Sequence, residues 1–353
     1  MTYFRKNIEA MTGYTPGEQP QGDSGAVKLN TNENPYPPSP RVLEVLRRTD
    51  WSLLRKYPDP MANKVRDVVA RRFGLRREQV LCANGSDELL RMVVTACVGE
   101  GEAIAYATPT YSLYPVLAEI QGARAVEVER SEDFSLPAEA LLETGARLLF
   151  ICNPNAPTGT WTEPDAIAAL ADGFRGVVVV DEAYADFGPG SGLAVLKDKP
   201  NVLVFRTLSK SHSLAGLRFG YAVGPEDLIA GLVKVKDSYN CDAVSVEVAA
   251  AALEDEAWMQ ANVEKVRSER ARLSEGLARL GFAVLPSEAN FVLAAVPDGD
   301  AGRWHKALKA RRILVRYWNR PRLSDKLRIT VGTPEQNDRL LSGIEAVRKE
   351  MAA

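Results

Sequence analysis

The chain has 353 residues, 46% hydrophobic and 25% charged, close to the globular average, which excludes a disordered, collagenous or low-complexity protein. A net charge of −2 provides no electrostatic footprint for nucleic acid or an anionic membrane. The length fits one large or two medium domains and a sizeable buried core.

The first ten residues carry Arg5, Lys6 and Glu9 and no apolar stretch, so no signal peptide is expected there. Residues 1–40 are rich in Pro, Gly and Asn, through Tyr14-Thr-Pro-Gly and Asn30-Thr-Asn-Glu-Asn-Pro-Tyr, and read as an extended arm with turns. From residue 61 the chain alternates. Val65–Phe73 has helical spacing, Gln79–Cys82 is strand-like, and Leu89–Val98 is an apolar helix with Ser86 as its expected N-cap. Short apolar runs follow at Ala103–Ala107, Ala125–Val128, Leu148–Cys152, Val177–Val180, Val202–Phe205 and Phe219–Val223, most of them separated by helix-like segments. Continuous apolar strands alternating with helices predict an α/β fold with a mostly parallel central sheet covered on both faces. The run Ala103–Ala118 is uncharged but broken by Pro109 and Pro115, and falls short of the roughly 20 residues of a membrane span.

After Pro225 the texture changes. Helical spacing runs from Val244 to Leu280, with Val263, Val266, Leu273, Leu277 and Leu280 on one face. Strands are expected near Phe282–Leu285, Phe291–Ala295, Ile313–Arg316 and Leu327–Val331, and helices near 303–311 and 335–350, which together make a smaller α+β domain. Cys82, Cys97, Cys152 and Cys241 form no CxxC, and His212 and His305 lie in no HxxxH pattern. The four thiols read as small core residues, no metal site is expected, and a cytoplasmic address follows.

Three strand ends carry chemistry. Val177-Val-Val-Val-Asp181-Glu182-Ala-Tyr184 places a carboxylate where a buried strand emerges. A Walker B aspartate would need a GxxxxGK[ST] loop, which the chain lacks. In the second, Thr207-Leu-Ser209-Lys210 leads to Gly216-Leu-Arg218 through a stretch with no other charge. A lysine buried near another cation loses its proton more easily, the usual route to a carbonyl-attacking amine. The third, Asn153-Pro-Asn155-Ala156-Pro-Thr-Gly, is a rigid turn. Beside it, Asn84-Gly85-Ser86-Asp87 opens a helix whose free N–H groups can hold a phosphate. A buried Asp, a lysine flanked by hydroxyls, an Arg and a Gly-Ser helix start are the parts that a pyridoxal phosphate site requires.

The ordered set Asn-Gly-Ser-Asp at 84–87, Pro-Thr-Tyr at 109–111, Asn-Pro-Asn-Ala-Pro-Thr-Gly at 153–159, Asp-Glu-Ala-Tyr at 181–184, Ser-Lys at 209–210 and Leu-Ala-Gly-Leu-Arg at 214–218 resembles the fold-type I aminotransferases. Leu29-Asn-Thr-Asn-Glu-Asn-Pro-Tyr, Arg55-Lys-Tyr57-Pro-Asp-Pro and Leu327-Arg328-Ile-Thr-Val-Gly-Thr333 bring it nearest to the histidinol-phosphate aminotransferase family, over about residues 30 to 340. The resemblance implies Lys210 as the residue that carries pyridoxal 5'-phosphate and shuttles the proton, Asp181 at its pyridine nitrogen, Tyr184 at its phenolic oxygen and Tyr111 stacked on its ring. Gly85, Ser86, Asp87, Thr207, Ser209 and Arg218 would bind around its phosphate. Tyr57 would reach the phosphate of a neighbouring subunit in a homodimer with shared sites. Arg328, Arg316, Tyr14 and Asn32 would face the substrate. Many relatives have an Asn at the position of Ala156, donating to the phenolic oxygen; here Asn155 or Asn153 takes that place, or Tyr184 acts alone.

The implied division is 1–50 (arm and part of the small domain), 51–240 (large cofactor-binding domain) and 241–353 (small C-terminal α+β domain). The implied reaction moves the amino group of L-histidinol phosphate to 2-oxoglutarate, in the cytoplasm, with neither nucleic acid nor membrane as partner. An aromatic amino-acid aminotransferase and a threonine-phosphate decarboxylase share the cofactor motifs and stay open. A nucleotide-binding protein would draw on Val177–Glu182 and Gly188-Pro-Gly-Ser-Gly192, but that glycine run fits no strand-to-helix fingerprint.

Overall fold

The computed structural model describes residues 3–20 and 25–352. Its strands are β1 (Val27–Lys28), β2 (Val80–Ala83), β3 (Ala103–Thr108), β4 (Arg124–Glu129), β5 (Leu148–Cys152), β6 (Val177–Asp181), β7 (Val202–Thr207), β8 (Gly220–Val223), β9 (Ala283–Val284), β10 (Phe291–Ala295), β11 (Ile313–Leu314), β12 (Arg316–Tyr317) and β13 (Lys326–Thr330). Seven of them form one sheet in the order β2-β8-β7-β6-β5-β3-β4, parallel except for β8.

The period-2 alternation of these strands feeds two cores. Leu148, Phe150 and Cys152 point to one face, with Leu89, Leu90 and Val93 of the helix Ser86–Cys97. Leu149 and Ile151 point to the other, with Ile167 and Leu170 of the helix Pro164–Gly173. Burial on both faces is why β5, β6 and β7 read as unbroken apolar runs. The chain leaves β3 outward to β4 and resumes on the other side at β5. The carboxyl ends of β3 and β5 therefore flank the switch point where open α/β sheets bind their ligands.

A second sheet, β12-β13-β10-β9, is antiparallel, and β1 of the arm pairs in parallel with β11. The helix Glu256–Arg279 buries Val263, Val266, Leu273 and Leu277 and packs on β9 and β10 as well as on the turn Ala185–Phe187 beyond β6, so it joins the two sheets.

Four expectations need correction. Ser86 is the first helical residue and does not cap its helix; Gly85 holds the cap position with φ +85°. The helical run 244–280 is two helices, Ala243–Glu254 and Glu256–Arg279, parted at Asp255. The first of these, with Val248, Ala249, Ala250 and Ala252 buried, packs beside Val80, Cys82, Tyr221 and Val223 of the large sheet and not with the C-terminal elements. The stretch Ile313–Arg316 splits at Val315 between β11 and β12, because each half pairs with a different strand. Residues 25–40 are packed: Leu29 and Asn32 are buried, and Thr330 N–H donates to Leu29 O at 2.9 Å.

Candidate active site

The carboxyl ends of β3, β5, β6 and β7 open into a cavity of about 990 Å³, closed on its far side by arm residues 14–19 and 30–33 and by residues 316–328 of the small sheet. Lys210 follows β7 and lines the cavity, with its Nζ donating to the backbone oxygen of Thr31 at 3.2 Å. Withdrawal from water, then the charge of Arg328, hold its pKa down at about 8. Such an amine is deprotonated far more often at neutral pH than an ordinary lysine.

Asp181 ends β6 on the face that carries Val179, and is buried. Its Oδ2 accepts from Tyr114 Oη at 2.8 Å, whereas Oδ1 is buried with no partner among the described residues. Burial raises its pKa to about 6, against the lowering effect of the Tyr114 bond. A protonated ring nitrogen is the partner that both the orphaned oxygen and the raised pKa call for.

Around the helix start, Ser86, Asp87, Thr207, Ser209 and Arg218 all line the cavity. The Thr207 and Ser209 hydroxyls lie 2.9 Å apart, and Arg218 Nη1 donates to Ser209 Oγ at 3.4 Å. Arg218 Nη2 approaches Asp87 Oδ2 at 3.4 Å. A Cβ on Gly85 would stand 2.9 Å from Arg218 Nη2, so only glycine lets the guanidinium come this close to the helix start. First-turn N–H groups have no intrahelical partner, and with two hydroxyls and an Arg they form a cradle suited to a phosphate.

Tyr111 lines the cavity and donates from Oη to Asp87 Oδ1 at 3.1 Å. Tyr14 meets its ring edge-on at 6.0 Å. Tyr184 Oη accepts from Asn32 Nδ2 at 3.0 Å; burial raises its pKa to about 12, while Arg328 and Asn32 act to lower it.

Arg316 and Arg328 sit directly opposite each other in the β12–β13 register, and both guanidinium groups lie over Trp318, at 5.2 and 5.1 Å from the ring centroid. Neither has a carboxylate partner among the described residues. Arg328 Nη2 donates to Asn30 O at 3.0 Å, and Arg316 donates to Thr15 O and Pro16 O at 3.4 and 3.5 Å. Like charges set across a ladder repel, so the pair is suited to an anion in the cavity.

Four predicted site residues do not line the cavity: Gly85, which stands against Arg218, and Asn153, Asn155 and Tyr57. Asn153 donates to Thr162 O at 2.9 Å and accepts from Thr162 N–H at 2.8 Å. Asn155 donates to Pro109 O and Thr158 Oγ1 and accepts from Thr110 Oγ1. Both amides are spent bracing the turn, so neither stands in for the donor missing at Ala156. Tyr57 is 82% exposed and stacks on Tyr239 at 4.4 Å, outside the cavity of its own chain. Tyr114, Trp318, Thr31 and Thr330 belong to the site's structure and were not singled out from sequence. Only Tyr114 left a trace, a phenol three residues after Tyr111 on an otherwise apolar helix. Among the described residues no three His, Cys, Asp or Glu side chains are grouped to hold a metal ion, and no helix is long and apolar enough to cross a membrane.

A mostly parallel sheet with a lysine after one strand end, a buried carboxylate on the next and an anion cradle at a helix start defines a fold-type I pyridoxal-phosphate enzyme. Residues 24–344 match the family model described as aminotransferase class I and II. A histidinol-phosphate aminotransferase of Nostoc sp. is 46% identical over 342 residues, 97% of each chain, and one of Citrifermentans bemidjiense is 43% identical over 344 residues, 98% of each. The crystal structure of histidinol-phosphate aminotransferase from Sinorhizobium meliloti in complex with pyridoxal-5'-phosphate superposes with a TM-score of 0.91 at 25% identity, covering 99% of both chains. The chain belongs to the class I and II aminotransferases and uses pyridoxal 5'-phosphate, as the sequence resemblance implied.

Proposed function

We propose that the chain is a cytoplasmic, homodimeric aminotransferase that converts L-histidinol phosphate and 2-oxoglutarate to imidazole acetol phosphate and L-glutamate. The observation that carries this reading is the facing pair Arg316 and Arg328, stacked on one indole and lacking any carboxylate partner among the described residues. Paired guanidinium groups take a phosphate or a carboxylate in bidentate fashion, so one subsite can serve both substrates in turn. The names of the relatives at 43–46% identity support the same donor.

Pyridoxal 5'-phosphate, when bound, supplies the carbonyl that takes over the amino group and a conjugated ring that accepts the electron pair left at the substrate Cα. In this reading Lys210 Nζ would hold the cofactor and, when free, would carry the substrate Cα proton. Its lowered pKa suits that role. Asp181 Oδ1 would accept from the ring nitrogen, and Tyr184 Oη would donate to the phenolic oxygen. Ser86, Asp87, Thr207, Ser209, Arg218 and the backbone at Gly85 hold or orient the phosphate, and Tyr111 covers the ring. Tyr57 completes the phosphate site of a second copy of the chain. Tyr14 and Asn32 shape the substrate side. Residues 51–240 form the cofactor-binding unit, with 1–50 and most of 241–353 on the substrate side.

Steady-state turnover with 2-oxoglutarate and a panel of histidinol phosphate, phenylalanine and threonine phosphate tests the reading. The expected result is a kcat/KM for histidinol phosphate at least roughly tenfold above the others, the value of one well-formed charged contact. Preference for phenylalanine, or carbon dioxide release from threonine phosphate without a keto acid, overturns it.

A further inference from the structure

Tyr184 lines the cavity, and so does Ala156, whose methyl group can neither donate nor accept. What directs the Tyr184 proton is therefore decided by Asn32, the one hydrogen-bond partner of its hydroxyl among the described residues. An amide can present either end, and the hydrogen bonds of the structure pair each end of Asn32 with its own partner. Its backbone N–H donates to Thr330 Oγ1 at 3.0 Å, which uses that oxygen as an acceptor. The Thr330 hydroxyl proton then goes to Asn32 Oδ1, 3.1 Å away. Oδ1 is thus the accepting end, and Nδ2 is the end that meets Tyr184 Oη at 3.0 Å.

The chain of donors runs one way, from Thr330 to Asn32 to Tyr184. Since Tyr184 Oη accepts from Nδ2, its own proton is left over, with no acceptor among the described residues and the cavity in front of it. The relay is held rigidly. Asn32 is buried, sits at φ +57°, and has its carbonyl tied by Asn290 Nδ2 at 3.0 Å. The Tyr184 ring is fixed edge-on against Phe291 at 5.2 Å. The charges facing the phenol are mixed: Arg328 lowers its pKa, Asp181 and Cys152 raise it, and Lys210 Nζ lies 5.8 Å from its ring centroid.

We infer that Asn32 is a positioning residue that forces Tyr184 to act as a hydrogen-bond donor toward an oxyanion in the cavity, the phenolic oxygen of the cofactor, and so supplies the polarity that Ala156 cannot. This rests on the pyridoxal-phosphate reading of Tyr184 given above. A donor aimed at that oxygen favours loss of the proton from the neighbouring Lys210 nitrogen, so weakening the donor raises the pH at which the visible absorbance of the holoenzyme changes.

The test is a spectrophotometric pH titration of purified holoenzymes without substrate. Asn32→Asp keeps the side-chain shape and a residue type that tolerates positive φ, but turns an acceptor toward Tyr184. Its midpoint is expected to rise by about one pH unit or more. Asn32→Gly, at ease at this φ, removes the whole amide, the donor to Tyr184 and the acceptor of Thr330 together, without turning an acceptor toward the phenol, and gives a smaller rise in the same direction. Ala156→Asn placed in the Asn32→Gly background returns the midpoint toward the wild-type value. Asn32→Asp and Asn32→Gly both titrating as wild type overturns the relay, and so does a drop in midpoint. Because no substrate is present, such a failure leaves the assignment of the amino donor standing, and a different preferred donor leaves the relay standing.

Discussion

Tyr114 is the sharpest place to perturb the site without touching the cofactor. Its ring stacks on Phe150 at 4.6 Å and 15°, and its hydroxyl gives Asp181 the one side-chain hydrogen bond that the carboxylate receives. Tyr114→Phe deletes the hydroxyl and keeps the stack. A hydrogen bond to a charged group contributes about 1.5–3 kcal/mol, which is about one to two pKa units at 1.36 kcal/mol per unit. Asp181 already stands at about 6 because it is buried, so the variant carboxyl is largely neutral at pH 7. It must then be ionised to meet a protonated ring nitrogen, which weakens cofactor binding about 2- to 15-fold at pH 7, growing toward about 10- to 150-fold below pH 6. The sign with pH follows. Wild-type affinity falls as the pH drops through about 6, and the fall in the variant begins one to two units higher. Titration of the apoprotein with pyridoxal 5'-phosphate from pH 5.5 to 9, followed by absorbance, reads both effects. Wild-type affinity with an unshifted pH profile would refute the claim that this phenol keeps Asp181 ionised.

Lys210 at about 8, against an ordinary 10.5, predicts that apoprotein takes up cofactor at a rate rising through pH 8 and level above about 9. Arg328→Gln removes the second-largest depressing influence and moves that midpoint up, as stopped-flow absorbance at several pH values will show. Gly85→Ala meets both a backbone conformation open only to glycine and a contact of 2.9 Å with Arg218. A loss of about 1–3 kcal/mol in urea unfolding, with weakened cofactor retention, is the expected result. Arg206 lies buried between Glu182 and Asp186; burial pushes the Asp186 pKa up, but Arg206, His212, the Ser211 hydroxyl and Arg72 together outweigh it and hold the carboxyl at about 2. Arg206→Met strands two buried carboxylates and should cost about 3–5 kcal/mol in the same assay. Finally, mixing and refolding Lys210→Ala with Tyr57→Ala chains should give more turnover than the average of the two alone, since a mixed dimer with sites shared between chains has one site free of both substitutions.

The large sheet was legible because, apart from the exposed edge strand β4, its strands are buried on both faces and are mostly Val, Leu, Ile, Phe and Ala, so Asp181 and Lys210 stand out where the apolar runs stop. What stayed hidden depends on long-range register or on local satisfaction. Nothing local says that Arg316 lies opposite Arg328, because the β12–β13 pairing makes them partners. Helical spacing continues across Asp255, so the break into two helices that pack on different sheets leaves no mark on the periodicity. Asn153 and Asn155 carried the chemistry of a cofactor donor, yet turn carbonyls and hydroxyls within reach consume both amides. Tyr114 looks like any core aromatic until Asp181 is seen to end in front of it.

The asparagine-rich arm, which in the sequence had turn chemistry alone to account for it, is where the two halves of the site meet. Strand ends of the large sheet provide the groups for the cofactor, and the small sheet provides the arginines. Asn30 offers its backbone oxygen to Arg328, Thr31 offers its own to Lys210 Nζ, and Asn32 donates to Tyr184. Asn34 Nδ2 donates to the backbone oxygens of Lys210 and Ser211. Short amides suit this because each presents both a donor and an acceptor close to the backbone, where frayed strand ends leave both kinds of group unpaired. A displacement of residues 30–34 would therefore move the resting partner of the lysine and that of the anion-binding arginine together. Substitutions in this segment should alter cofactor spectra and the KM of the anionic substrate in concert, whereas Arg316→Gln, which touches only Thr15 and Pro16 of the arm, should alter KM alone.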